Sequence, residues 1–402
     1  MTEHRLPLEI FAQRRRRFAD RMGEGVALIL SAPVFPRNRD VEHPYRQHSD
    51  FYYLTGLDEP GSALVLSSRG GEVEARLFVR PRDPERETWH GARAGIEGAV
   101  ALHGADEAFA IGELDAKLPE LLSGTRRLLY ALGEDEAVDR RVVGVLRALR
   151  GGGRRAKPTP DTIVEPGAVL HELRLRKSEE EIELMRGAAK ITAEAHRRAF
   201  EIARPGMIEY EVEAEILRVF RARGAERPAY ESIVGSGPNA TVLHYVKNDR
   251  RMQAGDLLLI DAGCELGYYA ADVTRTFPIS GRFTEAQRLL YGVVLRAQKA
   301  AIEAVRPGVT LESVHELTTR LLTEGMISAG LLEGEAEARI EAGDQKRYYM
   351  HRTSHWLGMD VHDVGSYFVD GEPRILEPGM VLTIEPGLYV PTDADAPEAL
   401  RG

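Results

Sequence analysis

The chain has 402 residues, with 53 Lys and Arg against 63 Asp and Glu, a net charge of −10 and 43% hydrophobic residues. This is the balance of an ordinary globular protein, neither disordered nor fibrous, and its acidic excess argues against nucleic acid as the main partner. No apolar run reaches the roughly 18 residues a membrane span needs. The start, Met1-Thr2-Glu3-His4-Arg5, lacks the apolar centre of a secretory signal. The single cysteine, Cys264, excludes an intramolecular disulfide, and a cytoplasmic location is expected.

In chain order, Leu8 to Met22 reads as a helix with Ile10, Phe11, Phe18 and Met22 as its apolar contacts. Its basic run, Arg14 to Arg17, is expected to be a solvated face. Val26–Leu30, Phe51–Leu54, Ala63–Leu66 and Arg76–Val79 read as strands separated by Gly, Pro and Ser. Val138, Val142, Val145, Leu146 and Leu149 repeat at helical spacing, and Gly151-Gly152-Gly153 ends that helix. Strands mixed with helices make residues 1–172 an α/β domain.

A second domain, 173–402, is expected to open at Ser178, an N-cap with Glu181 three residues on, the pattern of a capping box. That helix must stop before Pro205-Gly206. Arg204-Pro205-Gly206 then recurs as Arg306-Pro307-Gly308. Each triplet separates two helical stretches, with Val212 and Val314 at matching positions. A helix–turn–helix unit used twice suggests a pseudo-twofold domain.

Three segments of this domain carry chemistry. Leu257 to Ile260 reads as a buried strand ending in Asp261, and a second strand, Tyr269 to Phe277, carries Asp272. A two-residue turn at Leu266-Gly267 would set the two aspartates directly opposite each other. Such a pair needs a shared proton or a divalent cation, unless one Asp is a surface turn residue. His351, His355 and His362 fall within a short Gly-containing stretch, and imidazole serves as metal ligand and proton carrier. Val381 to Ile384 reads as a strand ending in Glu385 before Pro386-Gly387. Two Asp, a His and a Glu, without sulfur, suit hard or borderline ions such as Mn²⁺, and several carboxylates imply more than one ion.

These segments, IDAGCE, ADVTRTFP, HRTSHWLGMDVHDVG and TIEPGLY, together with RNRDVEHPYRQHSDFYYLTGLDEPG in the first domain, resemble bacterial aminopeptidase P, a pita-bread metallopeptidase family. The resemblance covers most of the chain. It implies a creatinase-like α/β N-terminal domain, an α+β pita-bread catalytic domain, and two Mn²⁺ ions with Co²⁺, Fe²⁺ or Zn²⁺ as substitutes. It also implies hydrolysis of the N-terminal Xaa-Pro bond of peptides by a metal-activated hydroxide. Asp261, Asp272, His355 and Glu385 fall on metal-ligand positions, and His351 and His362 on catalytic histidines. Glu385 would also shuttle a proton, and His244 and Tyr389 would meet substrate. Trp89, in ETWHGARAG, resembles a tryptophan that reaches a neighbouring subunit's site, so a homodimer or homotetramer is expected. The family's fifth ligand, a bridging Glu after an RGIG-type motif, is expected to be absent, because Arg401-Gly402 stands where that motif begins. Nearby alternatives are a prolidase restricted to dipeptides, a catalytically silent binding module and a metal-free creatinase-type hydrolase.

Overall fold

The computed structural model describes residues 6–151 and 157–402. Met1 to Arg5, Gly152 and Gly153 lie outside the described residues. The chain divides into two compact units, Met1–Leu173 and Arg174–Gly402.

The first unit is built on a six-stranded mixed sheet. Its strands are β1 (Gly25–Leu30), β2 (Ala63–Arg69), β3 (Glu72–Val79), β4 (Glu107–Ala110), β5 (Arg127–Leu129) and β6 (Thr162–Val164). β2 pairs antiparallel with both β1 and β3, while β4, β5 and β6 add in parallel. Helix α1 (Leu8–Met22) starts and ends where the periodicity placed it. Its basic run is only half solvated. Arg14 stacks 4.1 Å over the Tyr53 ring, and Arg15 donates to the carbonyls of Leu54 and Gly104. Both guanidiniums are buried against the backbone oxygens of Tyr53, Leu54 and Gly104.

Phe51–Leu54 is not a strand. It lies inside helix α2 (Ser49–Thr55), every residue of which is buried. A short aromatic run has the composition of a strand, but Thr55 Oγ1 donates to the Phe51 carbonyl and Gly56 closes the turn at φ 62°. Helix α3 (Pro84–His90) carries Trp89 and buries none of its residues. Helix α4 (Glu136–Arg150) buries Val142 and Leu146 against the sheet.

In the second unit, Ser178 and Glu181 form the expected reciprocal cap of helix α5 (Glu179–Ile202). Helix α6 (Glu209–Ala222) follows the first Arg-Pro-Gly turn. Helices α7 (Glu285–Ala304) and α8 (Leu311–Ser328) flank the second. The two turns match in detail. Gly206 and Gly308 have φ of 93° and 92°. Each donates its N–H to a returning segment, at the Met252 and Leu376 carbonyls. Val212 and Val314 are both in core positions. The pseudo-twofold unit is therefore real.

The central hairpin joins β7 (Ile233–Ser236), β8 (Leu257–Asp261), β9 (Cys264–Leu266), β10 (Tyr269–Ala270) and β11 (Thr274–Pro278). Its turn is Gly267-Tyr268, both at positive φ, not Leu266-Gly267. Asp261 therefore pairs with Thr274 and not with Asp272. The shift moves the partner by two residues, so both aspartates still project from the same face. The backbone at Ala271-Asp272 instead runs close against Gly263, which has no Cβ. A Cβ on Gly263 would lie 1.7 Å from the Ala271 carbonyl oxygen.

Val381–Ile384 does not form a regular strand. Leu357, Thr383 and Glu385 donate backbone N–H groups to Val381, His355 and Thr353 in ladder fashion. The ladder breaks at His355, whose N–H goes to Thr383 Oγ1 at 3.0 Å.

Candidate metal and catalytic site

Four of the expected residues meet in one place. His355 Nε2 lies 3.2 Å from Asp272 Oδ2 and 3.1 Å from Glu385 Oε1. Tyr230 hydroxyl bridges to Asp261 Oδ1 at 2.5 Å and Asp272 Oδ1 at 3.0 Å. All four line a cavity of about 1490 Å³ within the second unit, with His244, His351, His362 and Tyr389 around it.

Each donor has a local cause. Asp261 ends β8, where the apolar alternation gives out. Asp272 is brought in by the close backbone approach at Gly263. Glu385 is fixed by its own N–H to Thr353 and by Thr383 Oγ1, which donates to Oε1 at 2.8 Å. Glu385 Oε2 accepts no hydrogen bond among the described residues. His355 Nδ1 lies 2.9 Å from the Trp356 carbonyl oxygen, which can only accept, so Nδ1 carries a proton. In the neutral ring Nε2 is then a lone pair aimed at the carboxylates, the tautomer that a metal-binding imidazole adopts.

The electrostatics ask for a cation. Burial and the neighbouring charge of Asp272 push Asp261 up to about 7, against the opposing Tyr230 hydrogen bond. Burial disfavours a charged His355, yet its hydrogen bonds to Asp272 and Glu385 outweigh that and push it up to about 10. A proton on Nε2 thus does what a metal ion would do, holding carboxylates that otherwise repel. Among the described residues no three such donors are spaced as a ready-made ion cage. The donor set, three carboxylates and one correctly tautomerised imidazole, fits a hard or borderline divalent cation.

The remaining histidines sit at the rim. His362 packs edge-on to His355, ring centres 4.4 Å apart, and burial followed by the charge of His355 lowers its pKa. His351 Nδ1 donates to the Arg352 carbonyl, so its Nε2 accepts from the Tyr389 hydroxyl at 3.1 Å. His244 is exposed on the segment after β7. That segment is tied down by the fully buried Glu209, which accepts from Ser236 N, Ser236 Oγ, Tyr245 OH and Arg250 N. Trp89 belongs to the first unit, 81% exposed on α3. Sequence reasoning missed Tyr230 and Thr383. Thr383 stands two residues before Glu385, the same-face spacing of a strand, and was findable; Tyr230 lies in an irregular stretch with no pattern to mark it.

Comparison with known proteins gives a consistent picture. The sequence profile described as "Metallopeptidase family M24" matches residues 183–399, and that described as "Aminopeptidase P, N-terminal domain" matches residues 11–130. The chain is 45% identical to the Xaa-Pro aminopeptidase of Escherichia coli (strain K12), over 98% of this chain and 89% of that protein. It is 36% identical to the Xaa-Pro aminopeptidase 3 of Homo sapiens, over 93% and 73%. The solved structure of Pseudomonas aeruginosa aminopeptidase PepP superposes with a TM-score of 0.96 at 47% identity, covering 99% of this chain and 91% of that one. A zinc-substituted E. coli aminopeptidase P in complex with product gives 0.95 at 45% identity, over 99% and 91%.

Proposed function

Since the chain belongs to metallopeptidase family M24, in its aminopeptidase P group, we propose that it removes the N-terminal residue from peptides whose second residue is proline. It is a metal-dependent aminopeptidase with a creatinase-like first domain and a pita-bread second domain. The observation that carries the site assignment is the convergence of Asp261, Asp272, His355 and Glu385, with His355 Nε2 3.2 Å from Asp272 Oδ2 and 3.1 Å from Glu385 Oε1.

In this reading those four side chains hold the divalent cations. The carboxylate-rich set favours Mn²⁺ over softer alternatives. When bound, the cations supply Lewis acidity and make a water nucleophilic near neutral pH. The chain does the rest. Glu385 has Oε1 engaged by Thr383 and His355, which leaves Oε2 to accept the water's proton and return it to the proline nitrogen. His362, beside His355, donates to the oxyanion that forms on the scissile carbonyl. His351 and Tyr389, hydrogen-bonded to each other, and His244 line the substrate side. The Xaa-Pro amide has no N–H and a restricted ring, and a site built around that shape favours it over ordinary peptide bonds.

We read Trp89 as a contact presented to a neighbouring subunit in a homodimer or homotetramer. Its exposure on a short helix with no buried residue supports this. We place the domain boundary at 172/173. No described helix is long and apolar enough to cross a membrane, and we take the protein to act in the cytoplasm.

The test is a product assay with Mn²⁺ on Arg-Pro-Pro and Ala-Pro. Release of free arginine from the tripeptide is expected. Cleavage of the dipeptide alone would make the protein a prolidase, and cleavage of neither would make it a silent binding module.

A further inference from the structure

His362 is placed by its backbone and by the edge-on packing of its ring against His355. Its ring makes no hydrogen bond among the described residues; burial and neighbouring charges are what act on it. A group that must aim a hydrogen bond to within a fraction of an ångström then depends on whatever fixes residues 356–363.

That fixture is a buried ionic cluster that the chemistry described above does not use. Asp363, the next residue, has a side chain only 1% exposed. Its Oδ1 accepts from Arg174 Nη2 at 2.6 Å and its Oδ2 from Lys177 Nζ at 2.8 Å. Arg174 Nη2 also reaches Asp360 Oδ2 at 2.7 Å. The side chains of Arg174 and Lys177 are 3% and 1% exposed. Arg174, Lys177 and Asp363 meet where water is scarce, and Asp360, 35% exposed, closes the cluster at its edge. Such a cluster is a poor source of stability, since apolar residues of similar volume often do as well or better. What it offers over apolar packing is direction.

The backbone of the same loop is stitched around it. Asp363 N–H donates to the Trp356 carbonyl at 3.0 Å, closing the loop, and Gly358 N–H donates to the Asp360 carbonyl at 3.1 Å. Gly358 in turn accepts from Ala270 N at 2.8 Å, which ties the loop to the hairpin bearing Asp272. A Cβ on Gly358 would lie 2.0 Å from Asp363 Oδ2, so the carboxylate presses directly on the loop's backbone. Lys177 N–H donates to the Gly379 carbonyl at 2.8 Å, which anchors the other side.

We propose that Asp363, clamped between Arg174 and Lys177, is a positioning residue that sets the orientation of His362 for the reaction. This rests on the reading of His362 given above, and the experiment separates the two. kcat and KM are measured with Mn²⁺ on a Xaa-Pro tripeptide for wild type, Asp363→Asn, His362→Ala and the double variant. Asp363→Asn keeps the shape and removes the charge, and should lower kcat about tenfold or more with KM within about twofold. In the His362→Ala background the same change should cost less than about twofold, because residues acting through one another are not additive. An equal factor in both backgrounds would overturn the proposal, as would a loss carried by KM with kcat intact. If His362→Ala alone leaves kcat unchanged, the role of His362 fails instead. Should Asp363→Asn not fold, Lys177→Met, which keeps the Arg174–Asp363 pair, takes its place in the same cycle. A smaller loss in the His362→Ala background again supports the proposal, and an equal loss overturns it.

Discussion

Replacing Gly263 by Ala adds a methyl group at the tightest point of the metal-bearing hairpin. The new Cβ would stand 1.7 Å from the Ala271 carbonyl oxygen and 3.1 Å from Asp272 N, where real Cβ contacts begin near 3.0 Å. About 1.3 Å must be opened between two backbone segments, and neither is a flexible side-chain end. The flanking bonds, Ala271 N–H to Cys264 and Ala262 N–H to Val273, are the ones that stretch. Overpacking of this kind costs about 1–3 kcal/mol, and weakening two buried backbone hydrogen bonds adds about 1 kcal/mol each. The sum, a loss of about 3–5 kcal/mol, lowers Tm by about 6–20 °C for a unit of this size. Asp272 moves with the segment, and a displacement of about 1 Å at a reacting centre costs about a hundredfold in rate. The assays are thermal unfolding and kcat/KM on a Xaa-Pro peptide with Mn²⁺. Gly144→Ala is the control: nothing lies within 4 Å of its Cβ, it sits inside α4, and it should stabilise by about 0.5–1 kcal/mol. Gly263→Ala with wild-type Tm and kcat/KM would refute the reasoning.

Other outcomes follow from single contacts. Tyr230→Phe removes the hydroxyl shared by Asp261 and Asp272, and should cost about tenfold or more in metal affinity or kcat, as outer-sphere changes do; calorimetric Mn²⁺ titration checks it. Glu209→Gln weakens a buried carboxylate that accepts from Ser236, Tyr245 and Arg250, and should cost about 2–3 kcal/mol in urea unfolding. It should also raise KM more than it lowers kcat, since His244 precedes Tyr245. His196 is buried with Nδ1 unpartnered and its pKa lowered by that burial. The unfolded chain therefore binds its proton first, so its contribution to stability is complete above about pH 6.5 and shrinks as pH falls below it. Denaturation midpoints from pH 7.5 to 5 should drop less steeply in His196→Gln, and an unchanged slope would contradict this.

Much of the molecule is legible in its sequence because local signals agree with the final packing. The cap at Ser178, the paired Arg-Pro-Gly turns and the ends of α1 are set by backbone chemistry that needs no distant partner. Phe51–Leu54 reads as a strand because a four-residue apolar run with three aromatics carries no period, while the Gly56 cap closes it as a helix. The hairpin register differs from its expected one because Tyr268 takes positive φ beside Gly267, a choice the sequence favours only weakly. The aspartates still share a face, since a slip by two residues preserves parity. Arg14 and Arg15 look like solvated charge until the carbonyls they cap are in place. Tyr230 and the Arg174–Asp363–Lys177 cluster join residues far apart in the chain, and no local pattern encodes them.

The central claim is that Asp261, Asp272, His355 and Glu385 hold divalent cations at the floor of the cavity. Its most direct measurement is the rise in Tm on adding Mn²⁺ to metal-stripped protein, for wild type, Asp272→Asn and His355→Ala. Binding to the folded state alone raises stability by about 2.7 kcal/mol when the free ion is a hundredfold above Kd. The account predicts a clear rise of several degrees in wild type and little or none in either variant, with both still folded. An equal Mn²⁺-induced rise in either variant would contradict it.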